Sequence, residues 1–176
     1  MRIQEVLHQR LIGLVGRSGS GKTHLISRLI PAFTAQGVSV STLKHTHHAV
    51  EIDKPGKDSF IHRQAGAREV MLVTPERWIL QHTPPNGTPE LPELLLRMAP
   101  VDLILVEGFH ATVPATIEVY RPDVGKEPLF KTEKNIIAVA TTAPQSVPSG
   151  LFTLDLNKTD TLAAYIMQAA QPLKID

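Results

Sequence analysis

Eight consecutive residues, Gly16-Arg17-Ser18-Gly19-Ser20-Gly21-Lys22-Thr23, carry the densest chemical signal in the chain. They fit G-x-x-x-x-G-K-[ST], the P-loop pattern, at every fixed position, with an apolar run before them and a helical pattern after. Such a segment is built to hold phosphate. Its glycines let successive backbone N–H groups curl around phosphate oxygens, and the N-terminus of the following helix adds partial positive charge. Lys22 is placed to reach β- and γ-phosphates, and Thr23 to offer its hydroxyl to a Mg²⁺ ion that bridges them. Gly16 through Thr23 are therefore the candidate nucleotide-binding residues.

A phosphate-bound metal also needs an acid. Asp102 and Glu107 flank the apolar run Leu103 to Val106. Ligands of open α/β sheets sit outside the carboxyl ends of the strands, which selects Glu107 as the metal or water-positioning acid and leaves Asp102 as a cap. With Lys22 it forms the candidate catalytic pair. Lys44-His45-Thr46-His47-His48 follows another predicted strand, and its histidines could ligate a metal, bind phosphate or shuttle protons. Lys44 and His45, nearest the strand end, are the candidates for ligand contact. Further along, Asp58 either caps a helix or approaches the Mg²⁺ shell, and Arg63 either reaches a phosphate or stays on the surface. Asn157-Lys158-Thr159-Asp160 spells N-K-x-D, a guanine-reading element in many GTPases, but the same residue types are what a helix N-terminus attracts.

The elements that must position these groups follow from periodicity. Strands are predicted at Leu11 to Val15, Val38 to Leu43, Glu69 to Val73, Trp78 to Leu80, Val101 to Val106, Thr116 to Tyr120, Ile136 to Ala140 and Leu151 to Leu156. Helices are predicted at Lys22 to Gln36, Ser59 to Ala65, from Thr88-Pro89 through Met98, and Thr161 to Gln168 with caps at Thr159 and Asp160. Strands alternating with helices specify an α/β fold: three layers around a largely parallel sheet, with an antiparallel extension at Trp78 to Leu80. No linker divides residues 1–176, so one nucleotide-binding domain is expected.

Composition narrows the function classes. Lys plus Arg number 18 and Asp plus Glu 17, a balance that argues against a dedicated nucleic-acid or anionic-membrane binder. With no cysteine, disulfides, thiol catalysis and thiolate metal sites are excluded. The apolar run Leu11 to Val15, broken by Gly13, is far short of a membrane span or signal-peptide core, which points to the cytoplasm.

Taken together, GRSGSGKT, LIPAFTAQG, LKHTHH followed by DKPGKDS, RQAGA, the pair Arg77-Trp78 and DLILVEGF give a chain that resembles the MobB family nearly end to end. The KHTHH and DKPGKDS blocks at this distance carry the resemblance, since P-loops are widespread. It implies a P-loop NTPase-like fold, GTP with Mg²⁺ as ligand, at most slow GTP hydrolysis, and a homodimer. It also implies an accessory role toward the molybdenum cofactor guanylyltransferase, which joins guanylate to the molybdopterin cofactor. Gly16 to Thr23 carry over as the phosphate site, Glu107 as the metal-side acid, and the histidine loop as a surface for nucleotide, cofactor or partner.

Two positions depart from the family pattern. His110 stands where a lysine commonly follows VEGF, and Thr141-Thr142 where Ser-Asp is usual, so an expected base-reading carboxylate is lost there unless Asp160 replaces it. The competing classes are a P-loop small-molecule kinase and a metallochaperone-type GTPase. The first calls for an Arg-rich lid, whereas Arg63, Arg68 and Arg77 are dispersed; the second calls for Cys or a longer His tract.

Overall fold

A computed structural model describes residues 9–46, 50–85, 87–110 and 112–173, so His47 and His48 lie outside the described residues. In chain order the elements are β1 (Arg10–Val15), α1 (Lys22–Thr34), β2 (Val40–Lys44), α2 (Asp58–Gln64), β3 (Glu69–Val73), β4 (Trp78–His82), α3 (Leu91–Leu95), β5 (Leu103–Glu107), β6 (Thr116–Tyr120), β7 (Ile136–Thr141), β8 (Phe152–Asp155), α4 (Thr159–Ala169) and β9 (Gln171–Pro172). The architecture is the expected three-layer α/β fold, with a mostly parallel central sheet and a small antiparallel one. Two compact units are distinguished: Thr46–Arg97, and the described residues on either side of it.

The larger unit holds the main sheet, in the order β2-β5-β1-β6-β7-β8. Every neighbouring pair along that path is parallel; β9 adds an antiparallel pairing to the start of β1. β1 and β5 are central and buried on both faces, which is why their sequences are continuously apolar instead of alternating. On one face Ile12, Leu14 and Leu105 pack with Leu25, Leu29 and Phe33 of α1 and with Leu162 and Ile166 of α4. Those helical residues recur at four-residue spacing, which lines them along one buried stripe of each helix. A second cluster joins Val15 and Val139 to Leu129 and Ile136. In the smaller unit β3 and β4 form an antiparallel hairpin with Met71 opposite Leu80 and Val73 opposite Trp78.

Several boundaries differ from expectation, among them those of α3, β5 and α4. The helix expected from Thr88-Pro89 through Met98 spans only Leu91–Leu95, with Glu90 before its first turn. A start at Pro89 would place Pro92 at the first position whose N–H an intrahelical carbonyl needs; the later start leaves Pro92 in the first turn, where no donor is required. The central strand begins two residues late and runs to Glu107, so that acid is the last strand residue instead of the first loop residue. The final helix starts at Thr159, which puts Thr159 and Asp160 inside its first turn and Lys158 at the cap. The Asp155 carboxylate makes the preceding turn by accepting the Asn157 N–H at 2.9 Å, while Asp160 adds charge where the helix dipole favours an anion.

Candidate functional site

The phosphate loop is shaped by contacts that only glycine permits. At Gly16 (φ +143°) a methyl group would come within 2.4 Å of the Val119 carbonyl oxygen and 2.8 Å of Ser20 Oγ. Gly19 (φ +88°) and Gly21 (φ +99°) are left-handed, and Gly21 directly precedes α1. The Ser20 N–H closes the turn on the Arg17 carbonyl at 3.1 Å. Lys22 Nζ folds back over the loop, donating to the Gly16 carbonyl at 2.7 Å and the Arg17 carbonyl at 3.1 Å. An ammonium has three donors, so one is left for a ligand. Burial holds the Lys22 pKa below its ordinary value, opposed by the negative charge of Glu107 and reinforced by the positive charge of Lys44. No side chain caps α1 and no acid occupies its first turn, which leaves its N-terminal N–H groups to an anion. Thr23 is exposed in that turn.

The acid comes from the next strand. Lys44 and Glu107 are register partners at the carboxyl ends of β2 and β5. Their side chains form an ion pair at 3.4 Å, with Glu107 13% exposed and Lys44 59%. His45 extends the pairing by one residue, its N–H donating to the Glu107 carbonyl at 2.8 Å, and its ring lies 4.5 Å from that of Phe109. Gly108 (φ +96°) is required by this approach, since a methyl group there would stand 2.9 Å from His45 Cβ. The same unit thus carries the phosphate loop, Glu107, Lys44 and His45.

These groups fit a magnesium nucleotide: a glycine cradle open at Gly19, a lysine with a spare donor, an uncapped helix N-terminus, and a carboxylate plus the Thr23 hydroxyl for the hard cation.

Of the other sequence candidates, Asp58 and Arg63 belong to the smaller unit. Asp58 is the exposed first residue of α2, in the smaller unit. The buried acid of that segment is Asp53, which accepts the Ser59 hydroxyl at 2.8 Å; that bond leads the effects that hold its pKa below the usual carboxylate value. Arg63 is paired with Glu51 at 2.5 Å and approaches Asp53 at 3.7 Å. Asp102, just before β5, accepts both the N–H and the hydroxyl of Ser39, just before β2, and so ties two strand starts together instead of capping a helix. His110 is held through Nδ1 by Glu133 at 2.7 Å. Thr141 accepts the Ala143 N–H at 3.1 Å, so its hydroxyl is engaged in the turn that ends β7. Among the described residues no group of three or more His, Asp or Glu could hold a metal.

Two residues beside the loop were not singled out from sequence. Glu118, buried in β6, accepts the N–H groups of Leu129 and Phe130, both at 2.8 Å. An acid inside an otherwise apolar strand was the available signal. Arg121 donates to the Ser20 carbonyl at 3.1 Å, and its place after a strand offered none.

With this geometry in place, comparison with known proteins is decisive. The family model for molybdopterin guanine dinucleotide synthesis protein B, MobB, matches residues 11–142. The chain belongs to the MobB family. It is 38% identical over 165 residues to the molybdopterin-guanine dinucleotide biosynthesis adapter protein of Escherichia coli K12, covering 92% of this chain and 93% of that one. The counterpart in Haemophilus influenzae is 39% identical over 158 residues, covering 89% and 86%. The fold agrees with a crystal structure of molybdopterin-guanine biosynthesis protein B (TM-score 0.70, 23% identity, 90% and 98% covered). It also agrees with that of a MobB homolog from Bacillus stearothermophilus (TM-score 0.66, 23% identity, 90% and 95% covered). Membership in the MobB family assigns the chain to molybdopterin-guanine dinucleotide biosynthesis as an adapter. No helix among the described residues is long and apolar enough to cross a membrane.

Proposed function

We propose that this MobB protein binds GTP with Mg²⁺ and hydrolyses it slowly while assisting the guanylyltransferase that attaches guanylate to molybdopterin. The observation that carries the reading is Lys22, folded onto the Gly16 and Arg17 carbonyls with one donor to spare, in front of an uncapped helix N-terminus. The loop N–H groups and the α1 dipole bind the β-phosphate, and Lys22 reaches toward the γ-phosphate. Thr23 and Glu107 would hold the magnesium ion, which neutralises charge on the phosphate oxygens when bound. Lys22, Thr23 and Glu107 are the groups this reading gives to the terminal phosphate and its metal, a set that suits binding and slow turnover better than rapid catalysis. Lys44 partly neutralises Glu107 until a ligand competes for the carboxylate.

The same reading proposes a homodimer seated on the β3–β4 hairpin. Met71, Val73, Trp78 and Leu80 share one face of the β3–β4 hairpin and are exposed by 57%, 67%, 63% and 39%. An apolar cluster of that kind marks a contact surface. Calorimetric titration with GTP and then ATP, both with Mg²⁺ and with Lys22→Ala as control, tests the function. Preference for GTP, lost in the variant, supports it; equal affinity for ATP assigns base selection elsewhere, and unchanged binding by the variant removes the phosphate site.

A further inference from the structure

Outside the motif, the connection that leaves β6 touches the phosphate loop twice. Arg17 Nε donates to the Glu127 carbonyl at 2.9 Å, and Arg121 Nε donates to the Ser20 carbonyl at 3.1 Å. Arg121, half-buried and one residue past β6, lies beside Gly21: a methyl group there would be in ordinary contact, 3.5 Å from Nε and 3.8 Å from Nη2. Among the described residues no carboxylate pairs with Arg121, and its Nη groups make no other hydrogen bond. A partly buried guanidinium with four N–H donors unspent beside a phosphate loop is poised for a ligand.

Sheet order says which part of the ligand. Glu107 ends β5 on one side of β1, and Arg121 follows β6 on the other. With the metal and the γ-phosphate on the β5 side, the triphosphate crosses the end of β1 and delivers its nucleoside to the β6 side. Nε is already committed to Ser20, which uses up the side-on Nε/Nη2 pair, one of the two with which a guanidinium grips a phosphate, and leaves the Nη1/Nη2 end. What remains is the Nη edge and the flat face, suited to sugar hydroxyls, base carbonyls and stacking on a purine.

We propose that Arg121 is a nucleoside-binding residue, tied to the phosphate loop through the Ser20 carbonyl and contacting the sugar and base instead of the phosphates. This rests on the nucleotide reading above. The test is calorimetry of wild type, Arg121→Ala and Arg121→Lys against Mg²⁺ complexes of GTP, GDP and inorganic tripolyphosphate. Arg121→Ala is expected to weaken GTP and GDP by the same factor, about 10- to 100-fold, while tripolyphosphate binding stays within about 2-fold, since that ligand has no nucleoside. Arg121→Lys, which keeps a donor but not the plane, falls between and serves in place of Arg121→Ala if thermal melting shows that variant unfolded. An equal loss for tripolyphosphate would reduce Arg121 to a tether of the loop. A loss for GTP but not GDP would move it to the γ-phosphate, and no loss for any ligand would also overturn the proposal. If wild type binds neither GTP nor tripolyphosphate, the nucleotide reading itself falls, and this inference with it.

Discussion

Lys44 and Glu107 occupy one rung of the β2–β5 ladder, with Nζ 3.4 Å from Oε1. The pair is lopsided, because the carboxylate is largely withdrawn from water and the ammonium is not. A mostly buried carboxylate at a strand end is suited to a cation, and in this structure the cation that faces it is Lys44. Glu107→Gln keeps the size and removes the charge. It should leave GTP affinity within about 3-fold while lowering Mg²⁺-dependent hydrolysis by about 100-fold, the scale of losing one well-placed charged group in such a site. Parallel measurements of affinity and phosphate release decide it, and equal losses in both would refute the assignment.

Lys22 predicts a pH dependence. Burial lowers its pKa in the folded protein below 10.5, so its charge is lost earlier on the alkaline side than that of a free lysine. If Lys22 holds the triphosphate as proposed, binding needs the ammonium, and GTP affinity should decline as pH rises through that lowered value. Stability has the opposite slope in the same window: the unfolded chain binds more protons there, so this residue's contribution rises with pH. Titrations of GTP between neutral and alkaline pH, set against Lys22→Ala, check the first; a pH-independent affinity would remove Lys22 from the site.

The hairpin offers a test of self-association. If Met71, Val73, Trp78 and Leu80 are covered by a second copy, Trp78→Lys should shift the protein to monomer, because an ammonium cannot be desolvated there without a partner. Sedimentation equilibrium reads the outcome. A variant with the wild-type mass distribution would place the dimer contact elsewhere.

Glu118 is a structural acid in the wall behind the loop. Burial pushes its pKa above 4.5, against the opposing hydrogen bonds from Leu129 and Phe130. Between 4.5 and the raised value the folded protein binds more protons than the unfolded chain, so stability falls as pH rises through that range. Glu118→Gln should flatten this slope. Glu118→Ala should instead cost about 1–3 kcal/mol for each N–H left without an acceptor. Urea denaturation at several pH values separates the effects, and an unchanged midpoint in Glu118→Ala would show that water replaces the carboxylate.

Much of the site was legible along the chain because its parts are contiguous. The glycines, Lys22 and Thr23 make one loop and one helix start, and their spacing is their chemistry. Glu107 is singled out by the rule that ligands gather at strand carboxyl ends, and the structure places it at the end of β5; the α/β class follows from alternation of apolar strands with amphipathic helices. Helix ends were less legible. Pro92 moved one start, and Asp155, lying before the expected cap residues, moved another.

What no local pattern contains is which strands are neighbours. Parallel strands joined by helical crossovers are distant in sequence, and their order is set by burial of both sheet faces at once. That order places Lys44 on the rung of Glu107, brings the Val119 carbonyl against Gly16, and carries Arg121 across to Ser20. The phosphate loop was therefore written in eight adjacent residues, whereas the acid's partner and the arginine beside the loop emerged only from strand register, a property of the packed sheet and not of any segment of chain.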